Sequence, residues 1–164
     1  MRGGDQREDA LTEAVTFIWR EADLLDRAAY EEWLGLWAPD GRYVVPIDPT
    51  TTDFEATLNY AYDDAAMREM RVRRLVGGQS TSAVHAARTV RTVSRFVTVR
   101  DEADMREMRC SQLLVAYKRE ETKLLAADLT YHLVRHGANR FAIQQKVVRL
   151  VNAADSLSCF GYLL

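Results

Sequence analysis

The sequence predicts an α+β domain in which N-terminal helices pack on one face of a strongly curved antiparallel sheet. Three observations carry this. Residues 11–25 repeat their apolar side chains at helical spacing, the stretch from residue 88 onward alternates in long runs rich in Val, Thr, Tyr and Leu, and short polar turns join those runs. Helices first and a meander of strands afterwards place the helices on one side of a sheet. With 164 residues, 48% of them hydrophobic and 28% charged, the chain fits a single domain over residues 1–164 with a substantial core. Its helical part runs over about 5–76 and its sheet over about 86–164.

Leu11, Ala14, Val15, Ile18, Trp19, Ala22 and Leu25 form one stripe of a first helix that Asp5 or Asp9 can cap. A second helix carries Tyr30, Trp33, Leu34 and Trp37 and ends before Pro39-Asp40-Gly41, making a helical hairpin. Residues 42–46 read as a short strand and 47–53 as a loop. Asp63-Asp64 open a third helix bearing Met67, Met70, Arg71 and Leu75. Strands follow at 88–100, 108–119, 123–135 and 141–151, and the apolar segment 157–164 is expected to complete the sheet.

Composition narrows the function. The formal charge of −2 comes from 22 basic and 24 acidic residues spread along the chain, so no basic stripe suits nucleic acid. No run reaches the ~20 apolar residues of a membrane helix, and the first residues lack a signal-peptide core, which gives a cytoplasmic expectation. Cys110 and Cys159 stand apart and read as two reduced, buried thiols. Three lysines among 22 basic residues leave 19 arginines, a bias that fits either an interface-rich protein or a GC-rich coding sequence.

Metal and redox chemistry have little support. His132 and His136 are four residues apart in an expected strand, roughly 13 Å, too far to share one ion. With only His85 added, the chain lacks the ligand set of a Rieske-type cluster, and no phosphate loop, dinucleotide fingerprint or nucleophile elbow occurs. Asp26, among Leu24, Leu25, Tyr30 and Trp33, has two readings. It caps the second helix, or it is a desolvated base paired with His85 or His132. The tryptophans read as core and interface filler, and Arg71, Arg73 and Arg74 as a solvated helix face or a surface for an acidic partner.

Residues 21–46 (EADLLDRAAYEEWLGLWAPDGRYVVP), 63–75 (DDAAMREMRVRRL) and 87–99 (ARTVRTVSRFVTV) together resemble the small β subunits of bacterial aromatic-ring-hydroxylating dioxygenases. The most specific part is the series Leu-Leu-Asp, Tyr-x-x-Trp and Asp-Gly-x-Tyr-x-x-Pro. Arg95 stands where family members usually carry Asn. The resemblance implies a cone-shaped fold of the nuclear-transport-factor-2-like or cystatin-like kind. It also implies a non-catalytic structural chain, with no cofactor of its own, that trimerises and joins an α subunit holding a Rieske cluster and a mononuclear iron in a mushroom-shaped hexamer. Tyr30, Trp33, Trp37, Arg71, Arg74, Arg88 and Arg91 are then packing and interface residues. The same superfamily contains small dehydratases and isomerases, and in that alternative Asp26 with His85 and His132 carries catalysis.

Overall fold

The computed structural model describes residues 2–77, 87–137, 140–153, 155 and 161–164, with side chains from residue 11 onward. Helix α1 spans Arg2–Asp26, so neither Asp5 nor Asp9 is its cap. Ala14, Ile18, Ala22 and Leu25 lie on its buried stripe, as their spacing requires. The helix ends in a Schellman motif: Ala28 N–H donates to Leu25 O (3.1 Å) and Ala29 N–H to Leu24 O (2.8 Å), with Ala28 in the left-handed region at φ 54°.

Helix α2 is only Tyr30–Leu34, and Ala29 rather than Asp26 is its N-cap residue, with no side-chain cap. Trp37, expected in this helix, instead opens strand β1 (Trp37–Pro46). The reason is tertiary. Trp37 pairs with Ile143, and Ile143 N–H donates to Leu36 O at 2.8 Å, so sheet pairing ends the helix before the aromatic spacing does. Gly41 lies so close to this pairing that a Cβ there would sit 2.6 Å from Ile143 O.

Strand β2 (Asn59–Asp63), absent from the sequence reading, runs antiparallel to β1, and α3 (Ala65–Gly77) follows. The Asp64 carboxylate accepts Met67 N–H at 2.9 Å at the start of α3, whereas Asp63 belongs to the strand. The long strands are β3 (Arg88–Asp101), β4 (Met105–Lys118), β5 (Glu121–Arg135) and β6 (Phe141–Leu150), close to their expected limits.

The six strands lie in the order β2-β1-β6-β5-β4-β3, antiparallel throughout except that β1 runs parallel to β6. Residues 5–76 therefore supply two strands as well as the helices. The tight β4–β5 hairpin turns through Arg119 and Glu120, at φ 52° and 66°. Of the segment 157–164 expected to complete the sheet, residues 157–160 lie outside the described residues and residues 161–164 form no strand; Leu163 and Leu164 tuck into the core, each 2% exposed.

Period-two alternation sets the two faces of the sheet. Met108, Cys110 and Leu114 of β4 and Leu125, Leu129, Tyr131 and Leu133 of β5 are buried in the core that α1 shares. Their neighbours Leu113, Val115, Tyr117 and Leu124 point the other way and are exposed. Strand β3 is an edge, and α1 shields part of it. Trp19 Nε1 donates to Val93 O (3.2 Å), and Arg91 N–H donates to the Asp26 carboxylate (2.7 Å).

Candidate functional site

Ionisable side chains from α1, β5 and β6 come together between α1 and the sheet. Glu21 lies on the apolar stripe of α1, three residues after Ile18 and four before Leu25, and so enters the core. Lys146 alternates with Val148 and Leu150 on β6 and points to the same place. Its ammonium contacts both Glu21 oxygens at 2.8 and 3.1 Å, and the two side chains are 0% and 1% exposed. Trp33 Nε1 (2.9 Å) and the Tyr131 hydroxyl (2.8 Å) donate to the same carboxylate. Burial pulls the Lys146 ammonium below the usual lysine range, with Glu21 pulling it back up; burial and then the Glu21 charge push the Tyr131 phenol well up.

Beside this pair, the Asp26 carboxylate accepts hydrogen bonds from Thr89 Oγ1 (3.0 Å), Arg91 N–H and the Arg91 guanidinium, whose side chain is 1% exposed. Asp26 thus closes the β3 edge and neutralises a buried arginine, and does not cap α2. The Schellman turn explains the difference, since it ends α1 at Asp26 and leaves three residues, 27–29, before α2 starts at Tyr30.

The remaining space is filled by the C-terminal residues. Lys146 Nζ donates to Leu164 O (3.0 Å), Arg91 Nη2 donates to Leu163 O, and Leu164 N–H donates to the Tyr43 hydroxyl (3.0 Å). Trp33, Trp37 and Tyr43 pack edge to face around them, with centroids 5.4–6.2 Å apart.

The opposite face of the sheet is open. The register aligns Val90, Val115 and Leu124 in one row across β3, β4 and β5, and Thr92, Leu113 and Ala126 in the next. Val90 is 65% and Leu124 64% exposed. Farther along the same face lies a cavity of about 810 Å³ lined by, among others, Phe54, Arg95, Arg109, Asp128, His132 and Arg149.

These positions decide the sequence-derived candidates. His132 lies in that cavity with Nε2 3.8 Å from Glu107, on the face away from Asp26, so the Asp26–His132 pair does not form. His85 and Cys159 lie outside the described residues. Trp33 and Trp37 pack inside their own chain, and Trp33, at 0% exposure, has no surface to offer a partner. Tyr30 is half-buried against the core. Arg91 is committed to Asp26, and Arg71 makes a two-pronged contact with Asp63 (2.6 and 2.9 Å). Arg74 and Arg88 are exposed. Cys110 is a buried free thiol, and burial pushes it up to about 12. Among the described residues no three His, Cys, Asp or Glu side chains group as metal ligands, and no helix is long and apolar enough to cross a membrane.

The family model described as ring hydroxylating beta subunit matches residues 20–154. The chain belongs to this family. Among its relatives is the benzene 1,2-dioxygenase subunit beta of Pseudomonas putida, 32% identical over 114 residues that cover 65% of this chain and 60% of that protein. The chain therefore matches less than two-thirds of that curated relative's length. The benzoate 1,2-dioxygenase β subunit of Burkholderia mallei superposes with a TM-score of 0.75 at 22% identity, over 92% of this chain and 95% of the other. A naphthalene 1,2-dioxygenase chain gives 0.77 at 18% identity, over 100% and 95%. At such identities the structures speak for the fold, which is also that of a nuclear-transport-factor-2-like protein with a cystatin-like fold from Novosphingobium aromaticivorans (TM-score 0.61, 17% identity, 93% and 90% covered). This ring-hydroxylating β-subunit member thus has the cone-shaped α+β fold, with its sheet left open and its interior occupied by its own side chains and tail.

Proposed function

We propose that this chain is the non-catalytic, structural β subunit of an aromatic-ring-hydroxylating dioxygenase of the cytoplasm. It trimerises and assembles with an α subunit that carries the Rieske cluster and the mononuclear iron, and it holds no cofactor itself. The observation that carries the reading is the contrast between the two faces of the sheet. Inside, Asp26 and Glu21 are each saturated by partners. Outside, the row Val90, Val115 and Leu124 leaves large apolar side chains in water, as an assembly surface does. Membership of the ring-hydroxylating β-subunit family supports the partner, and the names of its relatives support an aromatic substrate.

The test is mild affinity purification of the tagged chain from its host, reading native mass and visible absorbance. A brown complex of hexamer mass containing a larger iron-sulfur subunit is expected, and Leu124→Glu should lower that mass while leaving the circular dichroism of the isolated chain unchanged. A colourless species containing this chain alone refutes the proposal.

A further inference from the structure

We propose that the cavity on the outer face of the sheet binds a free monocarboxylic acid with an apolar body. Strands β3, β4, β5 and β6 supply Arg95, Arg109, Asp128 and Arg149, and the loop before β2 supplies Phe54. Its volume of about 810 Å³ falls within the roughly 300–1,000 Å³ of small-molecule sites. Arg95 is held there in the left-handed region, at φ 56°, where the β3–β4 register shifts. Its Nε donates to Ser111 Oγ at 2.7 Å, and its Nη2 lies 3.4 Å from Asp128 Oδ1. That conformation is unfavourable for an arginine, and the strain is kept where the side chain reaches the cavity. Arg149 is half-buried over the Phe54 ring, 5.5 Å from its centroid, and among the described residues donates only to neutral acceptors, Thr130 Oγ1 and Thr51 O, each at 3.4 Å. Burial pulls this guanidinium below the usual arginine range, against the pull of the Asp128 charge. Arg109 is exposed and has no ion-pair or hydrogen-bond partner among the described residues.

Charge selects the ligand class. Three guanidiniums line the cavity against two carboxylates, Asp128 and Glu107, so at least one positive charge lacks a counter-charge. One carboxylate supplies it, and its two oxygens match the planar fork of an arginine, whereas a phosphate dianion would overshoot and meet Asp128 and Glu107. Val97 and Val99, 45% and 53% exposed, line the same space beside Phe54, so the body of the acid is apolar. Val115 of the exposed apolar row lies six residues from Arg109 along β4, about 20 Å, which keeps the row and the cavity apart. The inference goes beyond the proposed subunit role and does not rest on it.

The test is calorimetry with 4-cyclohexylbutanoate on the chain as purified from its host, together with whatever partners accompany it. One acid should bind per chain. The amide 4-cyclohexylbutanamide, which lacks the charge, and acetate, which lacks the apolar body, should each bind at least about tenfold more weakly. Arg109→Gln should weaken binding of the acid about tenfold without changing Tm, since Arg109 has no partner among the described residues to lose. Arg95→Asn should also weaken it while raising Tm, which separates damage to the site from damage to the fold. Equal binding of acid and amide, or binding indifferent to both substitutions, overturns the proposal. So does the absence of binding, the result expected where a carboxylate of a neighbouring subunit already fills the cavity.

Discussion

Replacing Lys146 by Met isolates the charge at the centre of the fold. Methionine keeps the unbranched bulk of the lysine stem, so the cavity contribution is small, but Glu21 loses both ammonium contacts and Leu164 O loses its donor. A carboxylate 1% exposed then keeps only the neutral donors Trp33 and Tyr131. Breaking a buried pair in this way costs about 3–5 kcal/mol, a large part of the 5–15 kcal/mol that stabilises a typical domain. At roughly 2–4 °C per kcal/mol for a chain of this size, a Tm decrease on the order of 10 °C is expected. Adding Glu21→Gln removes the orphaned charge while leaving an amide oxygen for Trp33 or Tyr131, so the double variant should recover about 2 kcal/mol relative to Lys146→Met alone. Urea denaturation followed by tryptophan fluorescence measures both. A loss below about 1 kcal/mol for Lys146→Met, or strict additivity of the two substitutions, would refute the argument that a desolvated ion pair holds this core.

Three further outcomes follow from the same geometry. Asp26→Asn leaves the buried Arg91 cation without its counter-charge and should cost about 2 kcal/mol in thermal denaturation; an unchanged Tm would remove Asp26 from the structural role assigned to it. Ala28→Gly relieves a left-handed residue at the end of α1 and should gain about 1 kcal/mol, with Arg95→Asn (φ 56°) gaining less in the same direction; both are read as Tm increases. The Cys110 thiol, pushed up to about 12 in the folded chain, ionises near its ordinary range once unfolded. The unfolded state therefore loses its proton first. The associated stability is intact at neutral pH and falls above about pH 9 by up to ~1.4 kcal/mol per pH unit, so Cys110→Ala should flatten denaturation midpoints between pH 9 and 10.

The four long strands and the apolar stripe of α1 were legible because period-two and period-3.6 patterns are local. Strand β2 was not, because Asn59–Asp63 is short and its pairing depends on β1 rather than on its own composition. Trp37 shows the same conflict from the other side, since helical spacing continued to it while the sheet claimed it. At the site, Asp26 was noticed, but its partners Thr89 and Arg91 lie 63 and 65 residues away, beyond any local signal. Glu21 and Lys146 were missed although each interrupts an apolar register: Glu21 among Ile18, Ala22 and Leu25, Lys146 beside Val148 and Leu150. A lone charge in phase with the buried face of its element was the available signal, and two such charges of opposite sign imply each other.

The parallel pairing of β1 with β6 also bears on how the chain is made. The ribosome releases α1 and β1 well before β6 exists, and Glu21 waits for a lysine 125 residues downstream. Until then the buried stripe of α1 and one flank of β1 have no permanent cover, and long-range closure of this kind is slow and exposes aggregation-prone surface. Synthesis pauses after about residue 150, or chaperones that hold the emerging helix, would therefore influence the yield of this protein more than substitutions within the β4–β5 hairpin, whose contacts form as soon as its own turn has been made.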